Sequence, residues 1–313
     1  MLELSHNQTR QYIDAVAVFE AWEEATREAQ QVRGGMYWHK GPLSNPDAAY
    51  LVRTSPAGSE TSLGPRSPAT EDVYARFQQR KAAAAERLSA LQAKLVEHTR
   101  MNRALRVGRL DPLVVSILDR LQVSGLAGYF RVVGTHALYA YEAAAGVRVE
   151  DGAVATRDID LLWDVRQRIR FATQLARVDS SVLGLLQKVD KSFRLRTLQK
   201  YTAVNQDGFE VDILRREQQP DDPHPIRLSE DEDDFWVTQA RNAHRLMDAP
   251  PFSAVVVASN GKMARMHTLH PTAFAQFKRW LGGLADRDPL KRRRDVLQAD
   301  VVEHLVKGYL PPV

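Results

Sequence analysis

Apolar residues recur at helical spacing over long stretches near both ends of the chain, and at two-residue spacing in a shorter middle portion. Residues 9–33 are predicted to form a helix with Tyr12, Ile13, Val16, Phe19 and Val32 on one stripe and Gly34-Gly35 as its stop. Residues 36–67 are rich in Pro, Gly and Ser. Strand-like pieces around 36–38 and 50–53 suggest a small hairpin-like unit plus a loop. Ser67 and Pro68, a capping hydroxyl and a proline at the first helical position, open a long helix. Val73, Phe77, Ala84, Leu88, Leu91 and Leu95 repeat along it, and Gly108 is its expected end. A short amphipathic helix over residues 111–121 follows.

The texture then changes to alternating strand and helix. Strands are predicted at 129–133, 156–163, 202–205 and 208–214, with helices at 136–145 and 165–175. Residues 229–236 (SEDEDDFW) read as a solvated entry into a helix near 237–247, acidic charge being favourable at a helix N-terminus. Asn260-Gly261 marks a hairpin. Two helices, 271–284 and 289–306, finish the chain, each with proline in its first turn behind His270 or Asp288. The predicted fold class is therefore α/β in the α+β sense. A mixed-sheet core at 111–220 lies between an N-terminal accessory region, 1–110, and a C-terminal hairpin and helical region, 221–313.

Composition narrows this picture without changing it. The 313 residues, 44% hydrophobic and 26% charged, suit a globular protein. No apolar run approaches the roughly 20 residues needed to span a bilayer, and the first residues lack a signal-peptide pattern. The absence of cysteine removes disulfide and thiol chemistry and suits a reducing cytoplasm. A net charge of +4 is compatible with RNA or with a triphosphate cleft. The long helix carries Arg80, Lys81, Arg87, Lys94, Arg100, Arg103 and Arg106, but Glu71, Asp72, Glu86 and Glu97 are interspersed, as on a solvated face.

The chemistry concentrates in residues 157–162, Arg-Asp-Ile-Asp-Leu-Leu. Strand alternation projects Asp158 and Asp160 together and turns Ile159 and Leu161 to the core. Two adjacent carboxylates repel unless a cation lies between them, and magnesium favours carboxylates together with phosphate oxygens. In Phe209–Leu214, Glu210 and Asp212 share a face in the same way. Either could supply a third carboxylate; Asp212, flanked by Val211 and Ile213, is preferred. Upstream, Val133-Gly134-Thr135 runs from a strand into a helix, a turn that lets backbone and hydroxyl approach a phosphate. Near the C-terminus Lys278 falls on the apolar stripe of Phe274, Phe277 and Leu281, where its ammonium needs an anion or must reach solvent. Lys291 and Asp295, four residues apart, suit an ion pair as well as a phosphate contact. Arg157 is a further phosphate-binding candidate.

This ordered set resembles the nucleotidyltransferase superfamily that includes DNA polymerase β, whose signature is a glycine turn, hDhDh and a later hDh. Gly134-Thr135, Asp158-Ile159-Asp160 and Val211-Asp212-Ile213 stand at those positions. The longer interval from Gly134 to Asp158 is similar to bacterial toxin-type branches of the AbiEii/MenT-like group. The phrases GTHALYAYE, TRDIDLLWD and GFEVDIL resemble one uncharacterised bacterial branch. The resemblance implies transfer of a nucleotidyl group from an NTP with Mg2+. Asp158, Asp160 and Asp212 would be catalytic and metal-binding, and Gly134, Thr135, Arg157, Lys278 and Lys291 nucleotide-binding. The expected acceptor is RNA, such as a tRNA 3′ end, then a protein hydroxyl, then a small molecule. The rival expectation is a non-catalytic protein of the same fold that binds RNA or a protein partner.

Overall fold

The computed structural model describes residues 1–40, 48–56, 58–220, 222 and 226–310; part of the loop predicted before residue 67, at 41–47 and 57, lies outside the described residues. The chain divides into two compact units, one of residues Gln11–Met101 and one of Met1–Arg10 with Asn102–Val313. After a two-residue strand β1 (Leu2–Glu3), helix α1 (His6–Gln31) enters the first of these. Strands β2 (Gly35–Lys40), β3 (Ala49–Thr54) and β4 (Glu60–Pro65) form an antiparallel sheet in that order, and helix α2 (Pro68–Ala104) follows. Leu51, Val32, Met36 and Phe77 make its core.

Three details of this unit correct the sequence reading. The buried face of α1 carries Gln11, Ala15, Phe19, Glu23 and Ala25, whereas Ile13 is 61% exposed. Polar side chains on α1 reach α2, with Gln11–His98 at 3.0 Å and Arg87 paired to Glu24 and Glu28. The predicted hairpin gains a third strand because the almost wholly exposed β4 is held by its backbone pairing and has no apolar alternation to betray it. Helix α2 ends at Ala104, where Arg106 turns left-handed (φ 52°). Gly108 is needed instead because a Cβ there would lie 2.0 Å from the Val257 carbonyl oxygen.

The other unit is built on a mixed sheet. Its elements are α3 (Pro112–Val123), β5 (Phe130–Val133), α4 (Ala137–Ala145), β6 (Val147–Arg148), α5 (Asp151–Val154), β7 (Asp158–Trp163), α6 (Arg168–Val178) and α7 (Val182–Gln187). Then come β8 (Arg194–Arg196), β9 (Gln199–Val204), β10 (Glu210–Arg215), β11 (Thr238–Gln239), α8 (Ala243–Asp248), β12 (Pro251–Val257), β13 (Met263–Leu269), α9 (Pro271–Gly282) and α10 (Pro289–Gly308). The strand order is β12-β13-β5-β7-β10-β9-β8, with β11 also beside β10. The β7–β10 pair is parallel; β5–β7, β10–β9 and β9–β8 are antiparallel.

Alternation decides which side of the sheet is buried by which helices. Ile159, Leu161, Val211 and Ile213 enter a core with Val114, Ile117, Phe171, Leu175 and Leu185 from α3, α6 and α7. Burying each such side chain contributes about 1.5–3 kcal/mol, so the register of β7 and β10 is firmly set. On the opposite face Val133, Leu162 and Leu269 pack with Ala243, Leu246 and Phe277, and the carboxylates lie on this side. The helix predicted over 237–247 shrinks to Ala243–Asp248 because Thr238 and Gln239 pair with β10. Nor is the acidic run a helix entry of its own: buried Asp234 accepts from the backbone N–H groups of Val182 and Leu183, at 3.1 and 2.9 Å, in the first turn of α7.

Candidate active site: three carboxylates on two parallel strands

The pairing of β7 with β10 places Asp212 opposite Asp160 and Glu210 opposite Asp158. Adjacent strands lie ~4.8 Å apart, so carboxylates at paired positions abut. One oxygen from each of Asp158, Asp160 and Asp212 lies within 4.8 Å of the others. Glu210 is instead paired with Arg196. Among the described residues, no lysine or arginine is in salt-bridge contact with the trio. Threonines serve it: Thr156 donates its hydroxyl hydrogen to Asp158, and Thr202 donates to Asp212.

The electrostatics follow from this crowding. Burial, then the charges of Asp158 and Asp212, push Asp160 up to about 7 from an ordinary 3.8, although Lys278 and Arg294 pull the other way. Asp212 is also raised, mainly by burial, against the Thr202 hydrogen bond and with the repulsion of Asp158 and Glu210. Three convergent oxygen donors with surplus negative charge suit a hard divalent cation, which would relieve both the repulsion and the desolvation.

A neighbouring turn is shaped around Asp160. Val133 at the end of β5 is paired with Asp160, and the next residue, Gly134, has φ 69°. A Cβ on Gly134 would lie 2.0 Å from Asp160 Oδ2, so only glycine fits both the backbone and the carboxylate. Thr135 is buried, and its hydroxyl oxygen accepts from Gln298 Nε2 at 3.1 Å. His136 is buried as well. Its Nδ1 lies 2.8 Å from the Asp158 carbonyl oxygen and so carries the proton, while burial holds its pKa below the ordinary histidine value. It thereby pins the first residue of β7.

The cations divide into two groups. Lys278 is 5% exposed, and its ammonium donates to Asp295 Oδ1 at 2.9 Å; Arg287 holds the other Asp295 oxygen at 2.9 Å. Burial lowers the Lys278 pKa, while Asp295 and then Asp160 oppose the shift. Lys291 does not take the Asp295 partner that its spacing suggested; it is exposed in the first turn of α10. Arg157 is exposed beside the trio, its carbonyl accepting from Glu210 N at 2.9 Å. Arg294 belongs to the run Lys291–Arg294, which by sequence reads as a solvated face. Yet its charge reaches Asp160, its Nε is buried without a hydrogen-bond partner, and its Nη1 meets only the Ala155 carbonyl, at 3.4 Å. Gln298, one turn later, holds Thr135. The signal available was the i, i+4 spacing of Arg294 and Gln298 on one helix face.

The mixed α+β sheet gathers three aspartates behind a glycine turn into a group that could hold a metal ion. A family model described as nucleotidyltransferase matches residues 113–313, well over half of the chain, and the protein belongs to that family. No curated protein and no solved structure matches it. No helix among the described residues is long and apolar enough to cross a membrane.

Proposed function

We propose that this protein transfers a nucleotidyl group from an NTP to an acceptor hydroxyl, with Mg2+ held by Asp158, Asp160 and Asp212. The carrying observation is the in-register placement of Asp212 beside Asp160, which makes one donor set from two distant segments. When bound, the ion would offset the carboxylate charge and polarise the donor's phosphates.

The chain's own groups supply the rest. Asp212, raised by burial and close to the other two, accepts the proton of the attacking hydroxyl. The hydroxyl oxygen forms a bond to the α-phosphorus as the bond to the bridging oxygen breaks, and pyrophosphate leaves with that electron pair. Gly134 leaves room for Asp160, and the Thr135 turn opens α4 toward the donor. Lys278 and Arg294 provide positive charge on the side of the leaving phosphates. Of the two, Arg294 is the freer, since Lys278 is already held by Asp295. Arg157 and Lys291 are outer contacts to donor or acceptor.

RNA is the favoured acceptor, a tRNA 3′ end being one form of it, with a protein hydroxyl as the other possibility, and the cytoplasm is the expected place of action. The test is label transfer from each α-labelled NTP to total RNA and to protein. Expected is Mg2+-dependent labelling of one pool that disappears in Asp158→Ala and Asp160→Ala. Absence of label with all four NTPs, alongside RNA binding indifferent to Mg2+, would identify a non-catalytic binding protein.

A further inference from the structure

The unit of residues Gln11–Met101 carries eleven Lys/Arg and eleven Asp/Glu and is neutral as a whole, the excess on α2 being offset by acids elsewhere in it. The whole positive excess belongs to the other unit. Within it, five cations fall between residues 188 and 200: Lys188, Lys191, Arg194, Arg196 and Lys200, all exposed. The one acid in that stretch, Asp190, is occupied by Ser192 and Asn205.

Strand register puts part of this charge on the face of the carboxylates. Asp212 is paired with Thr202 and Glu210 with Val204; Val204 is in turn paired with Arg194. Side chains at paired positions share a face, and so do those two apart on one strand. Lys200 and Arg194 therefore stand on the same side of the sheet as Asp212, one and two strands out respectively, and Arg196 is there too through its pair with Glu210. The tip of the β8–β9 hairpin exposes Leu198 almost completely, at 96%. In the acidic run of residues 230–234, Asp234 is turned to cap α7.

Resting on the nucleotidyl-transfer reading, we propose that the β8–β9 hairpin is the seat of a single-stranded nucleic-acid acceptor. Its phosphates would run along Arg194, Arg196 and Lys200, and its 3′ hydroxyl would arrive at Asp212. A row of cations leading away from a reaction centre matches a polymer with regularly spaced anions better than a small molecule. The bare apolar tip offers a surface to an unstacked base, which a purely anionic partner would leave uncovered.

The experiment is fluorescence anisotropy of a labelled 20-nucleotide single-stranded RNA, and of a DNA of the same sequence, with the full chain at several salt concentrations. Arg194→Glu/Lys200→Glu is compared with the milder Arg194→Gln/Lys200→Gln and with Asp160→Ala, each checked by a thermal melt. The expected result is an affinity loss of about tenfold or more on charge reversal, a smaller loss for the glutamine pair, and a salt slope reduced by ~0.7 for each phosphate contact removed. Asp160→Ala should still bind. The RNA and DNA arms tell which backbone is preferred. Equal affinity in wild type and the folded charge-reversal variant would overturn the hairpin assignment, as would label appearing only on protein. If label transfer to RNA persists unaltered in that variant, only the hairpin idea fails. If wild type binds RNA through the hairpin but transfers no label from any NTP, the nucleotidyl-transfer reading fails instead.

Discussion

Two groups of aspartates in the same unit meet opposite fates. Asp295 is almost wholly buried but has Lys278 on one oxygen and Arg287 on the other, so its charge is matched within the chain. Asp158, Asp160 and Asp212 are only partly buried. They crowd one another, take hydrogen bonds from threonine hydroxyls, and lack a salt-bridge partner among the described residues. The first carboxylate is neutralised from within the chain, whereas the second group is the one that could hold a metal ion. Lys278 and Arg294 are near enough to affect Asp160 yet not paired with it.

The largest expected effect separates the two groups by function. Asp160→Ala should reduce label transfer by at least about 10³-fold, a loss of ~4 kcal/mol in transition-state stabilisation, with little change in thermal stability. Asp295→Ala should do the reverse in kind. It leaves two cations without their buried partner and is expected to cost about 3–5 kcal/mol of folding stability, read in a denaturant melt. A stable Asp295→Ala protein would show that the matched pair is not what holds α9 to α10.

Smaller effects sharpen the contrast. Gly134→Ala forces a methyl group into the space of Asp160 Oδ2 and a side chain into φ 69°, so transfer should fall by about 10²-fold and divalent-ion affinity with it. The pH dependence has a definite sign. The folded metal-free protein keeps the Asp160 proton up to about 7, whereas the unfolded chain releases it near 3.8. Stability in EDTA should therefore fall as pH rises from 4 to 7 and then level off. Mg2+ should raise the melting temperature at pH 8 and hardly at all at pH 5; an equal shift at both would contradict the account. Thr202→Val, which removes one hydroxyl from Asp212, should lower transfer only several-fold, measured at saturating Mg2+.

Much of the site was legible because its residues obey strand alternation. Asp-Ile-Asp-Leu in β7 and Glu-Val-Asp-Ile in β10 each show which face is polar, and the glycine turn stands out before α4. Alternation leaves Glu210 and Asp212 on one face, with the flanking Val211 and Ile213 favouring Asp212; which strands become neighbours, and that Arg196 takes Glu210, emerges only from packing. Arg294 and Gln298 were hidden because a run of four cations resembles a solvated face, and only packing shows which of them turns inward. In α1 the apolar stripe misled because polar Gln11 and Glu23 share the buried face with Ala15, Phe19 and Ala25, while larger Ile13 is left outside. Helix starts behind Asp111, His270 and Asp288 were readable, since a cap followed by proline is local chemistry. The turn that ends α2 was not, because it depends on Arg106 adopting a backbone conformation usually left to glycine.

The most direct test of the three-carboxylate site is calorimetric titration of Mn2+, as a reporter for Mg2+, into metal-stripped protein at pH 7.5, comparing wild type with Asp212→Asn and Asp295→Asn. One saturable site should be present in wild type, lost or weakened at least about tenfold in Asp212→Asn, and retained in folded Asp295→Asn. Undiminished Mn2+ binding by Asp212→Asn would mean that the strand carrying this residue plays no part in holding the ion.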